Sequence, residues 1–126
     1  MPRESRMDFE TVSPPDFGRS LGGLGINLLV RDVAQTVGVL EAVFGMSAHR
    51  ASADFAIMTC GKDVVQLHGD QTYSHNALLG LIPESAPRGA GVELRLFEVD
   101  PDEAVARADA HEHATVLAPP ENKPHG

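Results

Sequence analysis

The side chains best suited to binding a metal or moving a proton are six histidines, His49, His68, His75, His111, His113 and His125, and one thiol, Cys60. His111-Glu112-His113 has i, i+2 spacing at the end of a helical pattern, and two rings so spaced on a helix face different ways. That pair reads as a solvated cap interacting with the helix dipole rather than as metal ligands. Cys60 closes the apolar run Phe55-Ala56-Ile57-Met58-Thr59-Cys60, and cysteine is among the most buried residue types, so it reads as a strand residue, not a nucleophile. His68 stands in a more useful place. Alternation along Val64-Val65-Gln66-Leu67-His68 puts Val64, Gln66 and His68 on one strand face, with Val65 and Leu67 on the other. With Tyr73, the only tyrosine, Gln66 and His68 form a candidate polar wall for a small ligand; a hydrogen-bonded loop anchor is the alternative.

Other chemistries lack their signatures. Gly22-Gly23-Leu24-Gly25 precedes a strand instead of opening a helix after one, so it is not a phosphate cradle. No Ser–His–Asp set carries a nucleophile elbow. The formal charge of -8, with the ten basic residues scattered, argues against nucleic acid and anionic membrane surfaces. No run has the apolar length of a membrane span, and residues 1–20 lack a signal peptide's apolar core. A lone cysteine fits a reducing compartment, so a cytoplasmic location is expected.

The elements that must position these residues follow from the pattern. At 126 residues the chain is expected to be one domain. Residues 1–20, polar and containing Pro14-Pro15, read as a flexible or extended arm, and residues 21–126 as the domain. Ile26–Val30 suits a buried strand, Asp32 an N-cap, and Val33, Val37, Leu40 and Phe44 share one face of a helix stopped by Gly45. Met46–Ala51, Phe55–Cys60 and Val64–His68 are expected strands, separated by the hairpin loops 52–54 and 61–63. Asn27 is expected on the helix-packed side. Residues 69–90 form a long linker. The pattern then restarts: Val92–Val99 as a strand, Asp100-Pro101 as cap and first helical residue, Asp102–His111 as a helix, and Thr115–Ala118 as a strand. The fold class is therefore α+β, with an internal repeat of β-α-β-β-β units: module one over 24–68, and an incomplete β-α-β module two over 91–126.

Ile26-Asn27-Leu28-Leu29-Val30-Arg31-Asp32-Val33, a strand ending V-x-D before a helix, resembles the opening of the glyoxalase/bleomycin-resistance/dioxygenase superfamily, the vicinal oxygen chelate fold. Gly91–Asp100 resembles the second such junction. The stretches L-H-G-D-Q-T-Y-S-H, P-R-G-A-G-V-E-L, V-L-A-P-P and K-P-H-G look like a bacterial glyoxalase-like subfamily, and the likeness covers residues 15–126. The resemblance implies two βαβββ modules whose curved mixed sheets enclose a cleft. In metal-dependent members a divalent ion sits there, held from four strand stations.

At the positions those stations imply, the chain carries Gly25, which cannot ligate, then Gln66, a weak amide ligand, then Glu93, which the resemblance makes a candidate substrate-facing carboxylate and general base if partly buried, or simply a partner for Arg95 or Arg88. The fourth station falls beyond Gly126. Two weak metal candidates, Gln66 and Glu93, are too few for a catalytic site, which wants three protein ligands and an open position. No cofactor is therefore expected, with a divalent metal as the alternative. A family member would continue past Gly126 with further strands, so module two reads as C-terminally incomplete. A truncated chain, disordered residues beyond Gly126, or a partner chain covering the open edge would each account for it. The leading expectation is a small-molecule binding domain lined by Gln66, His68, Tyr73, Glu93 and Arg95, more binder than enzyme, with a homodimer as the default. A metal-dependent lyase, isomerase or dioxygenase completed by a partner chain, or a degenerate interaction domain, are the alternatives.

Overall fold

The computed structural model describes residues 8–82, 84–85, 87–89 and 91–122. The K-P-H-G motif and the first seven residues of the expected arm lie outside them. Module one forms as the sequence implies. Strand β1 (Ile26–Leu29) leads into helix α2 (Val33–Phe44); α1, which precedes both, is described below. The Asp32 carboxylate accepts the Gln35 N–H at 3.0 Å and so satisfies one of the first-turn donors. Gly45 ends the helix at φ 69°, a left-handed geometry in which a side chain would be strained. Strands β2 (Ser47–His49), β3 (Phe55–Cys60) and β4 (Asp63–His68) then form two antiparallel pairings. The β3–β4 loop is Gly61-Lys62, with Gly61 at the φ of 60° that the first residue of a primed two-residue loop requires.

β4 pairs with β1 in parallel, giving a four-stranded mixed sheet of order β1-β4-β3-β2. α2 covers one face of it. Val33, Val37, Met46, Ala56, Met58 and Leu67 are buried there, with Leu28, Leu40, Phe44 and Val65 packed around them. Met58 and Leu67 are fully inaccessible, and burying a side chain of that size contributes roughly 1.5–3 kcal/mol.

The linker is ordered into a 3-10 turn over Asp70–Tyr73 and a short helix α3 (Ala77–Gly80) capped by the Asn76 side chain. Of the second module, the helix forms. α4 (Pro101–Asp109) is capped by the Asp100 carboxylate on Asp102 and Glu103, and it buries Ala104 and Ala108 against Val43 of α2. Its flanks do not pair. Within 92–99 and 115–118 no described residue is in a strand, so the described residues hold one sheet and not two facing ones. Leu96 inserts against the sheet cluster and Val99 against the α2–α4 cluster, and between them Glu98 takes φ 62°, which breaks the extended run.

The arm differs from expectation as well. Residues 14–20 are a helix, α1 (Pro14–Ser20), with Ser13 accepting the Asp16 N–H and prolines in its first turn. Ahead of it, Arg50 donates from Nε to the Phe9 carbonyl at 2.8 Å and from Nη2 to the Val12 carbonyl. The Arg50 backbone N–H donates to Glu10 Oε1 at 2.8 Å. Val12 is buried.

Candidate functional site

The face of the sheet turned away from α2 carries the polar residues. Leu28 packs in the core cluster, so Asn27, its neighbour in β1, points the other way. Asn27 is in parallel register with Gln66, and its side chain donates to the Tyr73 hydroxyl at 3.3 Å. The expectation that Asn27 faces the helix is thus corrected: Gly25 and Asn27 are two residues apart, and such residues share a strand face. On the same face, Ile57 of β3 stands in register with Gln66 on one side and His49 on the other.

A cavity of about 310 Å³ opens at one end of this face. Gly25 and Ile26 at the start of β1 form one wall, Val64 and Gln66 of β4 the floor, and Phe9 and Leu21 the cover. Lys62 and Asp63 stand at its rim, one charge of each sign. The glycines matter here for space: a Cβ built on Gly25 meets no atom within 4 Å, so the missing side chain widens the cavity.

At the other end, His68 lies edge-on to Phe55 and to Tyr73, each with ring centroids 5.1 Å away. Its Nδ1 is 3.1 Å from Thr72 Oγ1, while its Nε2 is buried and has no hydrogen-bond partner among the described residues. Burial lowers the His68 pKa below the ordinary imidazole value of 6.5, which holds the ring neutral. Below it, Asp70 receives both terminal guanidinium nitrogens of Arg88 at 2.9 Å, and Arg88 also reaches the Leu29 carbonyl at 3.4 Å. The hydrogen bond from Arg88 is the main reason the Asp70 carboxyl is held below its usual value.

The structure therefore brings His68 and Tyr73 together and sets Gln66 on the same face but apart from them, on the cavity. It does not bring Glu93 or Arg95 to them. Glu93 is exposed and outside the described cavity lining, and Arg95 stacks its guanidinium over Phe97, 5.2 Å from the ring centroid. Phe9 lines the cavity on this face yet was not singled out in the sequence, and Asn27 was assigned to the opposite face. The capping signal Ser13-Pro14-Pro15-Asp16 was the available hint that the arm is structured.

A divalent ion of the kind the resemblance implies does not fit these residues. Gly25 offers no donor, Gln66 only an amide oxygen, and Glu93 is elsewhere. Among the described residues no three His, Cys, Asp or Glu side chains are grouped to hold a metal. A second, broadly open hollow lies beside His111 and His113, against Gln35 and Gly38. The His111 Nδ1 lone pair there is taken by the His113 N–H at 3.1 Å, so the pair caps its own turn.

No family model matches the sequence, and no curated protein does. Among solved structures, the chain is similar to a glyoxalase/bleomycin resistance protein/dioxygenase family enzyme from Burkholderia phytofirmans PsJN. The identity is 23%, 69% of this chain and 70% of that one are covered, and the TM-score is 0.53. It is also similar to a glyoxalase/bleomycin resistance protein/dioxygenase from Nocardioides, with 18% identity, 87% and 77% coverage and a TM-score of 0.48. The first of these likenesses places the chain's α+β fold with that of the Burkholderia protein. Among the described residues no helix is long and apolar enough to cross a membrane.

Proposed function

We propose that this chain binds a small, partly apolar molecule in the cavity over Gly25 and Gln66, without a metal ligated by its own side chains. The carrying observation is the cavity itself. It lies on the polar face of the sheet, at two of the positions where the resemblance implies ligands, and one of these, Gly25, contributes room instead of a donor. Phe9, Leu21 and Val64 supply apolar contact, and the Gln66 amide supplies a donor and an acceptor that orient a ligand's polar group. A cytoplasmic location goes with this reading and is supported by the single half-buried thiol, Cys60.

The test is fluorescence titration with 1-anilinonaphthalene-8-sulfonate, an apolar probe with an anionic head, on the wild type and on Gly25→Leu. Gly25 has an ordinary φ and open space around it, so leucine enters the cavity without straining the backbone. Saturable binding that Gly25→Leu abolishes, with the unfolding midpoint kept, supports the reading. Equal binding by both proteins overturns it.

A further inference from the structure

We propose that residues 8–21 are a strap that closes this cavity, and that Arg50 is its latch. The inference rests on the ligand-binding reading above and adds how that site opens. The strap is anchored at opposite edges of the sheet, because the order is β1-β4-β3-β2. At the β2 edge, Arg50 directly follows His49 and holds the Phe9 and Val12 carbonyls and the Glu10 carboxylate. At the β1 edge, the chain leaves Leu21 and enters β1 at Ile26 after a bend at Gly23. Three interstrand spacings of about 4.8 Å make a gap of roughly 14 Å. α1, with seven residues at about 1.5 Å each, spans about 10 Å and its flanks the rest.

Phe9 joins latch to cavity. Its ring stands edge-on to His49, centroids 5.7 Å apart, and to Phe17 of α1 at 5.3 Å, and it also lines the cavity over Gln66. α1 buries no residue of its own, so little but these contacts holds it down. The latch is loaded. Arg50 sits at φ 52°, a left-handed geometry unfavourable for any residue with a Cβ, and its three bonds to the strap offset that cost. Releasing the strap lets Arg50 relax while it uncovers the cavity, which lowers the cost of opening. Strap opening then widens the way by which small amphipathic molecules reach Gln66.

Arg50→Gly tests this without endangering the fold, since glycine accepts a φ of 52° and keeps the backbone N–H that donates to Glu10. Amide exchange is read at Val12 and Phe17, whose N–H groups donate to Asp8 and Ser13 within the strap. Exchange there rises about tenfold or more on loss of the guanidinium bonds, while Ala56 and Leu67 in the sheet stay protected. In stopped flow the same fluorescent probe associates faster with Arg50→Gly by a similar factor. Unchanged exchange at Val12 and Phe17 overturns the latch, and faster exchange with an unchanged association rate overturns the strap as the way in. A wild type that never binds the probe removes the ligand-binding reading instead, and exchange alone then decides whether residues 8–21 open through Arg50.

Discussion

The hydroxyl of Thr72 fixes the tautomer of His68. Thr72 Oγ1 donates its one proton to the Gly69 carbonyl at 2.9 Å, so it meets His68 Nδ1, 3.1 Å away, as an acceptor. His68 therefore carries its proton on Nδ1 and leaves Nε2 as a bare lone pair, buried between Phe55 and Tyr73. A buried acceptor with no partner among the described residues costs about 1–3 kcal/mol.

The pH dependence follows from the lowered pKa of His68. Above 6.5 the imidazole is neutral in both the folded and the unfolded chain, and the fold has its full stability. As pH falls through 6.5 the unfolded chain takes up its proton first, and stability is lost until the folded ring protonates too. Urea unfolding between about pH 7.5 and 5.5 is expected to show this loss in the wild type and a flatter profile in His68→Phe. Identical slopes would sink the assignment. A long-range nitrogen spectrum should show the His68 proton on Nδ1.

Arg88 and Asp70 tie the linker to the end of β1. The Arg88 side chain is 12% exposed and that of Asp70 36%, so solvent weakens the pair, and Arg88→Met is expected to cost about 1 kcal/mol. Because the Asp70 pKa is depressed, its contribution is complete above the unfolded carboxyl value near 3.8 and is lost as pH falls through the folded value. Arg88→Met should therefore match the wild type at the acid end and fall short of it near neutrality. A constant deficit at every pH would contradict the pairing.

The C-terminal cap of α2 and the interior of the sheet give a calibration. Gly45→Ala forces a Cβ into a left-handed residue and should cost about 1–2 kcal/mol. Met58→Ala, in the fully buried centre of the sheet, should cost about 2–5 kcal/mol. Thermal unfolding that ranks them in the reverse order would place the core elsewhere.

Val92, Leu94 and Phe97 leave apolar side chains to water along an unpaired segment, with Phe97 70% exposed. The homodimer expected from the resemblance would cover them. Sedimentation velocity should find two chains associated at high concentration and Phe97→Ser shifted toward one. A wild type that sediments as a single chain throughout excludes pairing at this surface.

Module one was legible because its signals are local. Asp32, Gly45, the Val33-Val37-Leu40-Phe44 spacing and the loop Gly61-Lys62 each dictate their own turn of backbone. The second half shows the limit of that logic. Val92–Val99 alternates as a strand should, but a strand exists only with a partner, and Leu96 and Val99 found α2 and α4 instead. The arm was misread because Pro14-Pro15 suggests extension, although proline in a first helical turn after a serine cap is favourable. At the site, period-two alternation found Gln66 and His68. Nothing local could show that Phe9 returns to cover Gln66, or that Glu93 stays outside, since both depend on contacts between distant segments.

The parallel pairing of β1 with β4 also sets an order of events. Ile26 meets Val65, about forty residues away in the chain, whereas β2, β3 and β4 join through tight hairpins whose closure entropy is small. The hairpins and α2 are expected to form first and β1 to be added last, carrying Asn27 into place beside Gln66. Pulse-labelled exchange during refolding should protect the amide of Ala56 before that of Leu28. The polar face is thus assembled only in the final step, when the rest of the sheet already stands.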